Sequence, residues 1–223
     1  DSGECVILLH GLARTETSFA VMEQVFKARD YKVVVPGYPS TDLPIPELAD
    51  LTLPKAVAEC GDRPVNFVTH SMGGILVRQY LSNNSISKLG KVVMLGPPNQ
   101  GSEVVDKFHR LPGYALFGGP AALQLGTTPD SLPVKLGPAN FELGIIAGSR
   151  SLNLLLSSFI PNQDDGKVSV INTKLAGMND HIILPVTHPF MMKNNMVIAQ
   201  VKHFLKSGVF TSRTHYRHTL SRR

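Results

Sequence analysis

Two kinds of run alternate along the chain. Short, continuously apolar stretches predict strands buried on both faces, and longer stretches with apolar residues three and four apart predict helices packed on them. CVILLH (Cys5–His10) is the first strand, followed by helical spacing through Phe19, Met22, Val25 and Phe26. YKVVV (Tyr31–Val35) is the second, stopped by Pro36 and Gly37. A helix then starts near Pro46, a residue tolerated in a first turn, and carries Leu48, Leu51 and Val57. PVNFVTH (Pro64–His70) is the third strand, with MGGILVRQYL (Met72–Leu81) a helix directly after it. KVVML (Lys91–Leu95), FELGIIAG (Phe141–Gly148) and HIIL (His181–Leu184) are the remaining strands. The last helix lies within Phe190–Leu205, with Val197, Val201, Phe204 and Leu205 inward. Asn99 to Asn140 is the least regular stretch, with room for two short helices and a small flap at most.

Six strands joined by helices predict a doubly wound, mostly parallel α/β sheet with helices on both faces. In such sheets ligands bind at the carboxyl ends of the strands. Residues 1–212 read as a single domain and 213–223 as a basic tail. That tail (RTHYRHTLSRR) changes the reading of the net charge of +5, because removing its four arginines leaves the body at +1. A nucleic-acid footprint would be a basic face on the folded body, so no nucleic-acid partner is expected. With 43% hydrophobic and 17% charged residues the chain is globular, and no apolar run reaches the about 20 residues needed to cross a bilayer. No His or carboxylate pair has ligand spacing, so no metal is expected.

The chemistry concentrates where strands end. In THSMGG (Thr69–Gly74), Ser71 stands between an apolar strand and a helix. There a sharp turn presents a nucleophilic hydroxyl above the sheet. The residues two before and two after it must be small. Gly73 complies, whereas Thr69 departs from the G-x-S-x-G pattern. LLHGL (Leu8–Leu12) ends the first strand, and acyl transfer needs two backbone N–H groups for the oxyanion. Met72, after the serine, supplies one, and Leu12, after His10–Gly11, supplies the other. Gly11 lets the backbone approach substrate, and His10 organises the loop.

The acid and base follow in the order Ser, Asp or Glu, His. Asp180 and His181 stand at the amino end of the sixth strand, more than ~10 Å from the catalytic edge at about 3.3 Å per residue. Asp164 and Asp165 lie beyond the fifth strand, on the correct edge, and either satisfies that order. Of the eight histidines only His188, in PVTHPF, has both the order and the edge. Phe190 and Met191 beside it are candidates to line an acyl pocket, or else core residues.

VILLHGL, THSMGG, QDDGKV and VTHPFMM resemble the signature regions of α/β-hydrolase lipases and esterases, above all small bacterial lipases with little or no lid. The resemblance spans Cys5 to about Phe210 and implies the minimal α/β-hydrolase fold. Its Asp-Gly-x-Val loop implies Asp165 as the acid, giving a Ser71–His188–Asp165 triad with Leu12 and Met72 as the oxyanion amides. PPNQGSE (Pro97–Glu103) resembles a segment that shapes the pocket floor. A small-molecule or lipid ester, short to medium in chain, is the implied substrate. Acyl transfer by side chains alone implies no cofactor. The same triad would serve an acyltransferase or thioesterase. A non-catalytic binding domain on this fold would lack a triad member.

Cys5 begins the first strand and Cys60 ends the second helix, just before the third. Those strands are neighbours in this fold, so the two cysteines fall near the amino edge, within disulfide reach or as free buried thiols. A bond would favour an exported protein.

Overall fold

The computed structural model of the 223-residue chain describes residues 3–109, 114–152, 154–158 and 160–211. The expected tail, 213–223, lies outside them. Six strands run β1 Cys5–Leu9, β2 Lys32–Val34, β3 Val65–His70, β4 Leu89–Leu95, β5 Leu143–Gly148 and β6 Asp180–Leu184. Their order across the sheet is β2-β1-β3-β4-β5-β6, and all five pairings are parallel. The sheet is therefore wholly rather than mostly parallel. Parallel strands need crossovers on the faces, which the helices supply.

Nine helices accompany the strands among the described residues: α1 Ala20–Lys27, α2 Ile45–Cys60, α3 Met72–Asn83, α4 Glu103–Phe108, α5 Tyr114–Leu123, α6 Leu132–Lys135, α7 Leu154–Ser157, α8 Val170–Thr173 and α9 Asn195–Ser207. Two 3-10 segments, Glu16–Phe19 and His188–Lys193, precede α1 and α9. Asn194 starts α9 by accepting the Met196 and Val197 amides, and Gly208, at φ 77°, ends it. A side-chain acceptor at the first position and a left-handed glycine past the last are the expected chemistry of the two ends.

Strand residues alternate between two apolar layers, as a period of two requires. Cys5, Ile7, Leu9, Phe67 and Met94 face α2 and α3, with Leu48, Leu53 and Ile75 against them. Val6, Leu8, Val68, Val93 and Leu95 face α1 and α9, with Phe26, Val201 and Phe204. Gly144 is required by that second layer, since a Cβ there would stand 2.6 Å from the Phe204 ring. Leu51 departs from the expected helical face: it is 42% exposed, and Ala49, Thr52 and Ala56 make the buried stripe instead.

Between β4 and β5 the described residues form α4, α5 and α6, with α5 itself broken by a kink at Gly119, where the sequence suggested two short helices. Proline-rich pieces such as Leu132–Lys135 are too short to leave a periodic signature. Arg78 of α3 ties this region down. Its guanidinium donates to Asn99 O and Oδ1, Pro133 O and Gly137 O, and burial lowers its pKa to about 10. Cys5 and Cys60 are disulfide-bonded, with Cα atoms 5.6 Å apart. No described helix is long and apolar enough to cross a membrane.

Candidate active site

The strand order reverses direction at β1 and β3, and a crevice opens beyond the carboxyl ends of those two strands. His10–Gly11–Leu12 leaves β1 and Ser71 leaves β3 at that point. Ser71 has φ 53° and ψ −125°, a conformation costing an L-residue about 1–3 kcal/mol. Its amide donates to Leu95 O at 2.9 Å, and the Gly74 amide donates to Ser71 O at 3.1 Å. The neighbouring glycines make the turn possible. A Cβ on Gly73 would lie 2.5 Å from Leu9 O, and one on Gly11 would lie 2.9 Å from Ser71 Cβ.

Thr69 occupies the position where the motif has glycine, and it is fully buried. The room for it comes from Gly74, where an added Cβ would stand 3.2 Å from Thr69 Oγ1 and 3.0 Å from Met94 Sδ. The second glycine of THSMGG thus accommodates the threonine.

The loop after β5 carries the two aspartates in different roles. Asp164 accepts from Ser157 Oγ at 2.6 Å and the Gly166 amide at 2.7 Å, closing its own loop. Asp165 is buried; its Oδ1 accepts the Lys167 and Val168 amides at 3.0 Å, and its Oδ2 accepts His188 Nδ1–H at 2.7 Å. The His188 amide also donates to Asp165 O at 3.0 Å. A donor at Nδ1 leaves Nε2 of the neutral ring as an acceptor. Gly96, at φ 54°, lies beneath this pair, for a Cβ there would sit 2.8 Å from Asp165 Oδ2 and 3.1 Å from His188 Nδ1.

Ser71 and His188 both line one cavity of about 240 Å³, together with Leu12, Val105, Leu125 and Val168. Pro98 and Ser102 of the PPNQGSE segment also line it, and Ser102 Oγ donates to Lys167 O at 2.8 Å, anchoring the acid loop. The amides of Leu12 and Met72 have no acceptor among the described residues. Met191 is fully buried, its sulfur packed against Gly96. Phe190 is 54% exposed and lines an adjoining cleft.

Several side chains that sequence reasoning passed over support the site. Tyr38 donates to the His10 carbonyl and stacks on the His10 ring with centroids 4.1 Å apart. Burial lowers the His10 pKa, against the Gly11 carbonyl and Glu16, which raise it. His70 Nε2–H donates to His188 O at 2.9 Å. Burial holds the His70 pKa well below 6.5, with His188 acting in the same direction and the bond to the His188 carbonyl opposing. Arg14 and Lys167 also line the cavity. A glycine at a strand's carboxyl end was the one sequence signal available, for Gly96. Among the described residues no three His, Cys, Asp or Glu side chains are gathered to hold a metal.

The parallel sheet, its strand order and a strained serine between strand and helix define an α/β protein of hydrolase type. The chain belongs to the alpha/beta hydrolase family, whose model matches residues 6–162. That match ends before Asp165 and His188. No curated protein sequence matches the chain. Among solved structures it is similar to the mature Bacillus licheniformis lipase BlEst2, at 19% identity and TM-score 0.72, with 92% of each chain covered. It is also similar to phospholipase PlaB from Legionella pneumophila, at 17% identity and TM-score 0.73, covering 96% of this chain and 62% of that one. The esterase RhEst1 from Rhodococcus sp. ECU1013 has TM-score 0.56 at 16% identity, with 92% of this chain and 91% of that one covered. At these identities the likeness is one of fold.

Proposed function

We propose that the protein is a serine carboxylester hydrolase acting on short- to medium-chain esters, with Ser71 as nucleophile, His188 as base and Asp165 as acid. The observation that carries this reading is the buried Asp165–His188 pair opening onto the same cavity as a serine held at positive φ. His188 Nε2 takes the Ser71 proton as Oγ attacks the ester carbonyl, and the Leu12 and Met72 amides hold the oxyanion. The intermediate collapses, and the alcohol leaves with the proton from His188. Water, deprotonated by the same ring, then attacks the acyl-enzyme and releases the carboxylic acid. Asp165 keeps the proton on Nδ1 and stabilises the imidazolium.

A cavity of about 240 Å³ falls below the about 300–1,000 Å³ of pockets for drug-sized ligands, which supports short or medium acyl chains. The Cys5–Cys60 bond supports an oxidising compartment, hence export. The test is labelling by a fluorophosphonate probe, followed by a chain-length series of p-nitrophenyl esters with and without an added alcohol acceptor. Folded protein that takes no label would sink the reading. Transfer to the alcohol outrunning hydrolysis would make it an acyltransferase.

A further inference from the structure

Resting on the ester-hydrolase reading of Ser71, the inference concerns which alcohol the ester carries. In that reaction the alcohol oxygen takes its proton from His188, so the alcohol portion departs on the His188 side of the cavity. The chain continues from His188 into Pro189 and Phe190, and these line a second cleft of about 310 Å³. Ala13 and Arg14 line both cavities and so join them. The first cavity has an aliphatic wall of Leu12, Val104, Val105, Leu125 and Val168. The second is lined instead by the hydroxyl residues Thr15, Thr17 and Ser18 and by Lys193.

The charge is one-sided. Arg14 lines both cavities, Lys167 the first and Lys193 the second, and no Asp or Glu lines either among the described residues. Residues 110–117, which follow α4, contain no acid in sequence. Glu16 is turned away, its Oε2 3.2 Å from where Gly37 would carry a Cβ. The carboxylate facing Lys167, Asp165, is already committed to His188 and two amides. Among the described residues Arg14, Lys167 and Lys193 have no ion-pair partner. Lys167 is exposed to solvent yet packed against the protein, and that packing and Arg14 lower its pKa with Asp165 opposing; both Arg14 and Lys167 also bear on His70 beside the serine. Cations gathered around one cleft without a protein counter-charge make a positive potential there that favours an anionic ligand.

We infer that the cleft lined by Arg14, Thr17, Ser18 and Lys193 is a headgroup subsite for a phosphate-bearing alcohol, esterified to the acyl chain that enters the Ser71 cavity. A phosphate group carries about −1.5 to −2 charges near neutrality and three acceptor oxygens. The guanidinium fork of Arg14 matches that geometry, Ser18 and the mutually bonded Thr15–Thr17 pair can each offer one hydroxyl donor, and Lys167 and Lys193 add charge.

The test compares 1-butyrylglycerol with 1-butyrylglycerol 3-phosphate, which share an acyl group, by titrating the acid released at low salt. The expected kcat/KM ratio favours the phosphate ester by about tenfold or more and shrinks as salt screens the charges. Arg14→Gln and Lys193→Gln each bring that ratio down toward one, and Arg14→Lys, which keeps the charge but loses the fork, retains only part of it. A ratio at or below one in the wild-type protein overturns the subsite. Calorimetric titration with glycerol 3-phosphate reads the subsite without turnover, with inorganic phosphate as the comparison. If neither ester is hydrolysed, glycerol 3-phosphate binding that Arg14→Gln weakens about tenfold upholds the subsite while the hydrolase reading falls. In that case, absent binding, or inorganic phosphate bound equally well, overturns the subsite.

Discussion

Two aspartate–histidine pairs stand at opposite ends of this sheet. Asp165 and His188 lie at the carboxyl edge, buried to 1% and 2% exposure, with the carboxylate holding two amides and the ring. Asp180 and His181 begin β6 at the amino edge. Asp180 accepts the His181 amide at 2.8 Å and the Phe210 amide at 2.7 Å, pinning the segment just after α9 to the sheet. His181 Nε2 is engaged by Thr173 Oγ1 at 2.9 Å. Neither residue lines the Ser71 cavity. The same side-chain chemistry is therefore spent on architecture at one edge and left facing a cavity at the other. What separates them is position: only the carboxyl edge has open loops and helix amino ends, where backbone donors converge.

The largest expected effects test that separation directly. Ser71→Ala and His188→Ala each lower kcat by about 10⁵–10⁶, since the residues act as a unit. Asp165→Ala costs about 10⁴, because the serine and histidine survive it. Asp180→Asn and His181→Gln leave kcat at the wild-type level. All are read with p-nitrophenyl butyrate on variants of verified circular dichroism. Asp164→Ala proving more damaging than Asp165→Ala would overturn the choice of acid, and a kcat collapse in Asp180→Asn would dissolve the distinction between the edges.

The same distinction explains what could be read from sequence. Apolar runs such as Val6–Leu9 and Val92–Leu95 are buried on both faces, so the parallel sheet was legible as continuous hydrophobicity. Order along the chain and position relative to strand ends then narrowed the histidines to His188. Side chains that act by packing across the fold left no such trace. Tyr38 reaches His10 from 28 residues away, and His70 reaches the His188 carbonyl across 118. Asp164 and Asp165 are adjacent, so spacing could not separate them; only the resemblance favoured Asp165. The helices of 103–135 were blurred because prolines and a glycine at positive φ (Gly119) interrupt any helical period.

A smaller effect sharpens the comparison from the amino edge. The Cys5–Cys60 bond closes a sequence separation of 55 residues. Loop-closure entropy for that length corresponds to about 4 kcal/mol. The double variant Cys5→Ser, Cys60→Ser is expected to lose that much stability in urea unfolding, relative to the oxidised protein. Its folded fraction keeps wild-type kcat/KM, because both cysteines lie at the end of the sheet away from Ser71. Thiol titration of the denatured, unreduced wild type checks the premise, for two free thiols would remove it. A folded double variant with impaired kcat/KM would mean that the amino edge is coupled to the cavity after all.

The smallest expected effect lies in the pH dependence of stability, where the two edges again differ. His70 is 1% exposed, and burial depresses its pKa well below 6.5, with His188, Arg14 and Lys167 adding to the depression. Its bond to the His188 carbonyl opposes them without prevailing. His181 is also lowered, by partial burial and Lys174, with Asp180 opposing. A histidine whose folded pKa is depressed takes up its proton first in the unfolded chain. Stability is then full above the unfolded value near 6.5 and falls as the pH drops from there toward the folded value. For His70 the slope approaches about 1.4 kcal/mol per pH unit in that window. His70→Gln, which keeps an amide donor in reach of the His188 carbonyl, removes that slope at the cost of some stability near neutrality. His181→Gln removes less, because its site is wetter and a carboxylate stands beside it. Urea unfolding from about pH 7 to about pH 5 measures both. An undiminished slope in His70→Gln, with a diminished one in His181→Gln, would place the acid-labile histidine at the amino edge and invert the comparison.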